Sequence, residues 1–198
     1  MSPAPPVPKK TNPIPVRIFI RAREKICKAV GLREDLVLDI YNSDTDWSFI
    51  LKIDALVDTA AKSIIKKILK LDVFGHIGSN DRLKKFVELL PVRGRTSLLK
   101  LLRAAGCPSE EAGFIDCVTQ IRNAYAHEIR FVDMPLIELI KQHQDKSKLL
   151  ENLSAIEKYN EANLISIYEQ NGDMLRLSVL DCTLRFLFCA YHITVEAK

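Results

Sequence analysis

The chain has 198 residues, 47% hydrophobic and 27% charged, with a formal net charge of +4. That suits one compact domain burying about 70% of its unfolded surface. Only seven Gly and nine Pro occur, six of the latter within the first 15 residues, which excludes a many-turned β-sandwich or a disordered chain.

In chain order, residues 1–15 read as a flexible, Pro-rich lead. The opening MSPAPPVPKK lacks the apolar core of a secretory signal, and no run of about 18 uncharged apolar residues follows, so a soluble, cytoplasmic protein with no membrane partner is expected. Residues 16–30 form a basic amphipathic stretch, predicted helical and stopped at Gly31. Lys9, Lys10, Arg17, Arg21, Arg23, Lys25 and Lys28 against Glu24 give residues 1–28 a charge of +6, so the rest sums to −2. A body so nearly neutral excludes binding nucleic acid through a broad phosphate-neutralising face. RNA, if handled at all, is handled at a small local site or with help from the basic segment.

A short helix is expected over 32–41. A long one follows over 46–71, capped by Asp44 or Thr45, with Trp47, Ile50, Leu51, Val57, Ala61, Ile64, Ile68 and Leu71 recurring at spacings of three and four. FGHIGSN ends it. Ser79 or Asn80 caps a helix to Leu90 that Pro91 stops, Thr96 opens the next, and Gly106-Cys107-Pro108 closes that one. Ser109, followed by Glu110 and Glu111, starts a helix running to about Glu128. FVDMP is a turn, Pro135 occupies the first position of the following helix, and 147–169 reads as one long polar-amphipathic helix. Gly172-Asp173 breaks the pattern before a final, mostly apolar helix. The fold class expected is all-α: an antiparallel bundle of about six to eight helices, one domain over 16–198 with its core over about 40–195.

Cys27, Cys107, Cys117, Cys182 and Cys189 make no CxxC pair, so reduced, mostly buried thiols are expected, with neither zinc nor a disulfide framework. His76, His143 and His192 stand alone as surface or boundary residues.

One stretch carries chemistry: IRNAYAHEI, residues 121–129. At about 100° per residue, Asn123 and His127 are neighbours at i and i+4, with Arg122 at the edge of the same polar arc and Ile121, Ala124 and Tyr125 free to pack inward. Arg holds a phosphate bidentately and stabilises growing negative charge. His, with an ordinary pKa of about 6.5, takes or gives a proton. The same residues also suit a structural role, the Arg in capping and ion pairing and the His hydrogen-bonded to a carbonyl. Asp54 falls at the vacant place in the apolar stripe of the long helix, so a carboxylate there faces inward and needs a partner. Asp54 or Asp58 pairing with Arg122 is one reading; both carboxylates solvated on a wide polar face is the other.

Arg122-Asn123-Ala-Tyr-Ala-His127 near a helix end in an all-α chain resembles the Arg-x4–6-His motif of the HEPN superfamily, with Asp58-x3-Lys62 resembling the acidic residue and Lys of its earlier helix and Asp54 one turn before. In layout, residues of about 40–195 resemble the mannitol operon repressor-like family. The resemblance implies a metal-independent endoribonuclease, of toxin or defence type, without cofactor, acting as a homodimer whose two motifs share one cleft. Arg122 would then bind the scissile phosphate, His127 would transfer a proton at the ribose 2′-hydroxyl, Asn123 would orient one of them, and the products would carry 2′,3′-cyclic phosphate ends. It also implies an antitoxin or other protein partner. The Tyr two positions after the His that some HEPN toxins present is absent, since Glu128 and Ile129 follow His127. The alternative is a non-catalytic regulator or protein-interaction module. A DNA-binding repressor is disfavoured, because no helix-turn-helix with a basic recognition helix stands out.

Overall fold

The computed structural model describes residues 32–69, 79–156 and 160–196, and all of the regular structure among them is helical. Nine α-helices follow in order: α1 Glu34–Tyr41, α2 Asp46–Ile68, α3 Ser79–Leu89, α4 Leu98–Ala104, α5 Ser109–His127, α6 Leu136–Gln142, α7 Lys146–Leu153, α8 Glu161–Gln170 and α9 Gly172–Glu196. A single 3-10 turn, Ile129–Phe131, joins α5 to α6. The chain is an all-α bundle, as its periodicity predicts. The Pro-rich lead, the basic amphipathic segment, Cys27, His76 and most of FGHIGSN lie outside the described residues.

The long helix predicted over 46–71 is α2. Its cap is Thr45, whose hydroxyl accepts a 3.1 Å hydrogen bond from the Ser48 amide. Its buried face is Phe49, Ile50, Ile53, Asp54, Val57, Ala61, Ile64 and Ile65, so the core stripe sits slightly round from the predicted one, with Trp47 only partly covered. The burial follows the helical period.

Three local expectations need correction. Ser97, rather than Thr96, opens α4: its hydroxyl faces the Lys100 amide at 3.4 Å, while Thr96 lies in the preceding exposed loop. Pro135 stands one place before α6 rather than inside it. The stretch 147–169 contains two helices, α7 and α8, and with that split the described residues hold nine. Ser154 turns the backbone out of α7, and its hydroxyl accepts from the Ile156 amide at 3.0 Å and pairs with the Tyr168 hydroxyl of α8. A side chain that bonds its own downstream backbone competes with the helix ladder. Gly106, in the left-handed region at φ +88°, closes α4 as expected.

The core is one continuous cluster running from Val37 to Ala190. α5 packs against α2, α4 and α7, and α9 lies along α2. Enclosed in this way, α5 is buried at every residue over 112–121.

The α1–α2 turn is tied to α9 by one polar cluster. Arg176 of α9 donates from Nε to Asp46 Oδ1 at 2.6 Å and from Nη1 to the carbonyls of Tyr41 and Ser43 at 3.1 and 2.7 Å. Asp46 Oδ2 accepts from the Leu136 amide at 2.6 Å, so one carboxylate fixes the starts of both α2 and α6. Both partners are largely buried, and removing one strands the other. Among the described residues, no helix is long and apolar enough to cross a membrane.

Of the described thiols, Cys117 is buried and Cys107, Cys182 and Cys189 are partly buried. Burial pushes Cys117 up to about 12 and Cys107 and Cys182 up to about 11.

Two outcomes follow from these contacts. Arg176→Met should lower unfolding free energy by about 3 kcal/mol in urea titration, because it removes the counter-charge of Asp46 and the donor to its Oδ1 and to two carbonyls. In a Cys27→Ser background, the native protein should resist Ellman's reagent at pH 8 and react fully only when denatured. The raised thiol pKa values mean that the native state keeps protons the unfolded chain releases, so stability should fall as pH rises past about 9.

Candidate functional site

Of the residues singled out in the sequence, all but His127 meet at an open groove of about 500 Å3 between α2, α5 and the loop that joins α3 to α4. Asp54, Asp58 and Lys62 come from α2, Thr119, Arg122 and Asn123 from α5, and Arg93 from the loop.

Asp54 is the partner of Arg122. Only 7% of Asp54 is exposed, and its Oδ2 accepts from Arg122 Nε at 3.0 Å. Its other oxygen accepts from the Thr119 hydroxyl at 3.4 Å. The vacancy in the apolar stripe of α2 thus holds a carboxylate that is buried and paired. Asp58 instead pairs with Lys62, one turn along the same helix, at 2.7 Å.

Asn123 orients Arg122 by accepting from Nη1 at 2.9 Å. A guanidinium has five N–H donors, and these two bonds occupy two, leaving three for a ligand. Arg122 keeps 39% of its side chain exposed at the groove, so those donors are within reach of solvent. Ile121 and Tyr125 pack inward as expected, and the Tyr125 hydroxyl donates to the Met134 carbonyl at 3.0 Å.

His127 ends α5 and is exposed, but it does not line the groove. Five residues beyond Arg122, it points about 140° away around the helix and sits about 7.5 Å further along it. The structure therefore brings together Asp54, Asp58, Lys62, Arg122 and Asn123, and sets His127 apart from them.

A second carboxylate, absent from the sequence reading, organises the other end of the groove. Asp116 is buried on α5, and it receives Arg93 Nε at 2.6 Å, Lys148 Nζ at 2.8 Å and Gln120 Nε2 at 3.1 Å. The hydrogen bond to Asp116 holds the Lys148 ammonium pKa above its ordinary value, so that cation stays charged. Arg93 is placed by a pinned loop. Val92 is buried, the Leu98 and Leu99 amides donate back to the Pro91 and Val92 carbonyls at 3.0 and 3.1 Å, and Gly94 takes φ +132°, which a side chain rarely tolerates. The signal was present in GFIDCVTQI, a carboxylate inside an apolar helical run, where the reasoning applied to Asp54 predicts a buried ion pair.

Among the described residues, no group of three or more His, Cys, Asp or Glu side chains is arranged to hold a metal ion. Compared with known proteins, the chain matches no family model, no curated protein and no solved structure.

The Asp54–Arg122 pair is checked by a double-mutant cycle with Asp54→Asn and Arg122→Gln. A coupling energy of about 1 kcal/mol or more in unfolding is expected, since one partner is buried while the other is only partly covered. Coupling within about 0.3 kcal/mol of zero would mean that the two side chains act independently.

Proposed function

We propose that the protein is a metal-independent endoribonuclease of HEPN type, acting as a homodimer with Arg122 and His127 as its catalytic residues. The observation that carries this reading is the clamp on Arg122. A buried carboxylate behind it and an amide beside it fix the guanidinium at an open groove with donors to spare. Preorganised donors of this kind stabilise charge that develops on a phosphodiester in the transition state.

The chemistry is phosphoryl transfer within the RNA strand. The ribose 2′-oxygen loses its proton to one histidine and bonds to phosphorus, while the bond to the 5′-oxygen breaks. That leaving oxygen takes a proton from a second histidine, giving a 2′,3′-cyclic phosphate and a 5′-hydroxyl. Arg122 neutralises the charge on the non-bridging oxygens. Because His127 lies off the groove that holds Arg122, the reading takes the histidine from a second copy, whose two-fold axis supplies one acid and one base. Asn123, Asp54, Asp58 and Lys62 act as positioning groups.

A second reading, a non-catalytic regulator or interaction module, draws on α3, where Leu83, Phe86 and Leu89 are exposed, the last at 83%. Apolar side chains gathered on one helix suit a protein partner better than a nucleic acid.

Purified protein should cut RNA in EDTA and leave 2′,3′-cyclic phosphate ends. His127→Ala removes an exposed side chain and should fold normally while losing at least about 100-fold in rate. Arg122→Ala is best made with Asp54→Asn, which avoids stranding a buried charge, and should lose as much. Cleavage that survives both changes refutes the assignment, and a folded protein that cuts no RNA pool leaves the second reading.

A further inference from the structure

Three cations face the groove, and their counter-charges are placed differently. Lys62 and Arg122 meet Asp58 and Asp54, which line the groove beside them and cancel their charge locally. Arg93 also lines the groove, with 42% of its side chain exposed, but its carboxylate, Asp116, does not. Asp116 in turn is shared with Lys148, so one negative charge serves two positive ones. This trio carries one positive charge in excess, and Arg93 is the member that presents it to the groove, whose remaining carboxylate, Glu88, is paired with Lys66 of α2.

The geometry suits a phosphate. The pairing with Asp116 is through Arg93 Nε; the two terminal nitrogens carry four further N–H donors on a side chain that is 42% exposed. Terminal guanidinium nitrogens bind phosphate oxygens bidentately. Asp116, which anchors Arg93, and Arg122 are six residues apart on α5, about 9 Å along the helix axis and about 120° around it, so it is the α3–α4 loop that carries Arg93 round to the groove of Arg122. Two guanidiniums thus line one groove, each paired through its Nε with a buried carboxylate.

We infer that Arg93 is a second backbone anchor for single-stranded RNA, gripping a phosphate next to the one held at Arg122. This rests on the RNA reading of the groove proposed above. Arg93 binds and positions the strand, and takes no part in proton transfer.

The test is binding rather than cleavage. A short, fluorescein-labelled, 2′-O-methylated RNA has no free 2′-hydroxyl, so its anisotropy reports binding to the full chain whether or not the protein cuts. Arg93→Gln should bind about 5–10-fold more weakly, and its slope of log affinity against log salt should fall by about 0.7, the share of one phosphate contact on a single strand. Lys148 still neutralises Asp116 in that variant, and a thermal melt checks that it folds. Should it not fold, Arg93→Lys serves: with its charge kept and its fork lost, it should weaken binding a few-fold at an unchanged slope. Arg103→Gln, an exposed change on α4 away from the groove, should match the unaltered protein.

Equal binding by the Arg93 variants and the unaltered protein, equal loss on Arg103→Gln, or no binding by the unaltered protein overturns the inference. RNA cleavage with binding indifferent to Arg93 removes this anchor and leaves the nuclease reading standing. Binding that depends on Arg93 without cleavage does the reverse.

Discussion

Residues 112–121 of α5 are buried without interruption, and a helix enclosed on every side cannot leave a carboxylate without counter-charge. That constraint shapes the rest of the molecule. Asp116 must be met, so Arg93 is drawn in from the α3–α4 loop and Lys148 from α7. Asp54 faces the same helix from α2, and Arg122 and Thr119 answer it. The groove is the place where these obligations reach the surface. Its two arginines stay partly exposed while the Nε of each is engaged with a buried carboxylate.

For the RNA reading proposed above, this arrangement supplies the means by which a nearly neutral body would hold an anion. An arginine on an open surface is solvated and mobile, and holding it still for a ligand costs side-chain entropy. Here that ordering is already complete in the folded state, since Asp54 and Asn123 fix Arg122 and Asp116 fixes Arg93. The same carboxylates also weaken the field felt by a ligand. The net attraction therefore depends on where a carboxylate is shared between two cations, and Asp116 is such a place.

Much of the fold is legible in the sequence because helix period and caps are local signals. α2 is readable from its apolar spacing and its Thr45 cap, α4 from the glycine that closes it, and α5 from the acidic first turn after Pro108. The break within 147–169 is harder to see. Its cause is a serine hydroxyl that bonds its own backbone and a tyrosine from the next helix, a contact that exists only after packing. The candidate site divides in the same way. Asp54 is legible because it interrupts an apolar stripe, and Arg122 because a buried carboxylate requires a cation. Arg93 is not, because it belongs to a loop with no period, and its link to Asp116 spans residues on different elements.

The position of His127 sets a condition on any chemistry at the groove. Arg122 and His127 share a helix, but the helical rotation that turns Arg122 toward α2 turns His127 out past the end of α5. No rotamer change in a side chain as short as histidine removes an angular offset of about 140°. Both groups can act on one phosphodiester only if a second protomer presents its helix end to this groove. The proposed reaction needs an acid and a base, so the two-fold axis must run beside the groove and bring both histidines to one shared cleft. The nuclease reading and the dimer therefore stand or fall together. On the reading proposed above, a monomer with this geometry would keep Arg122 to hold a phosphate but have no proton-transfer group beside it, and binding alone would remain.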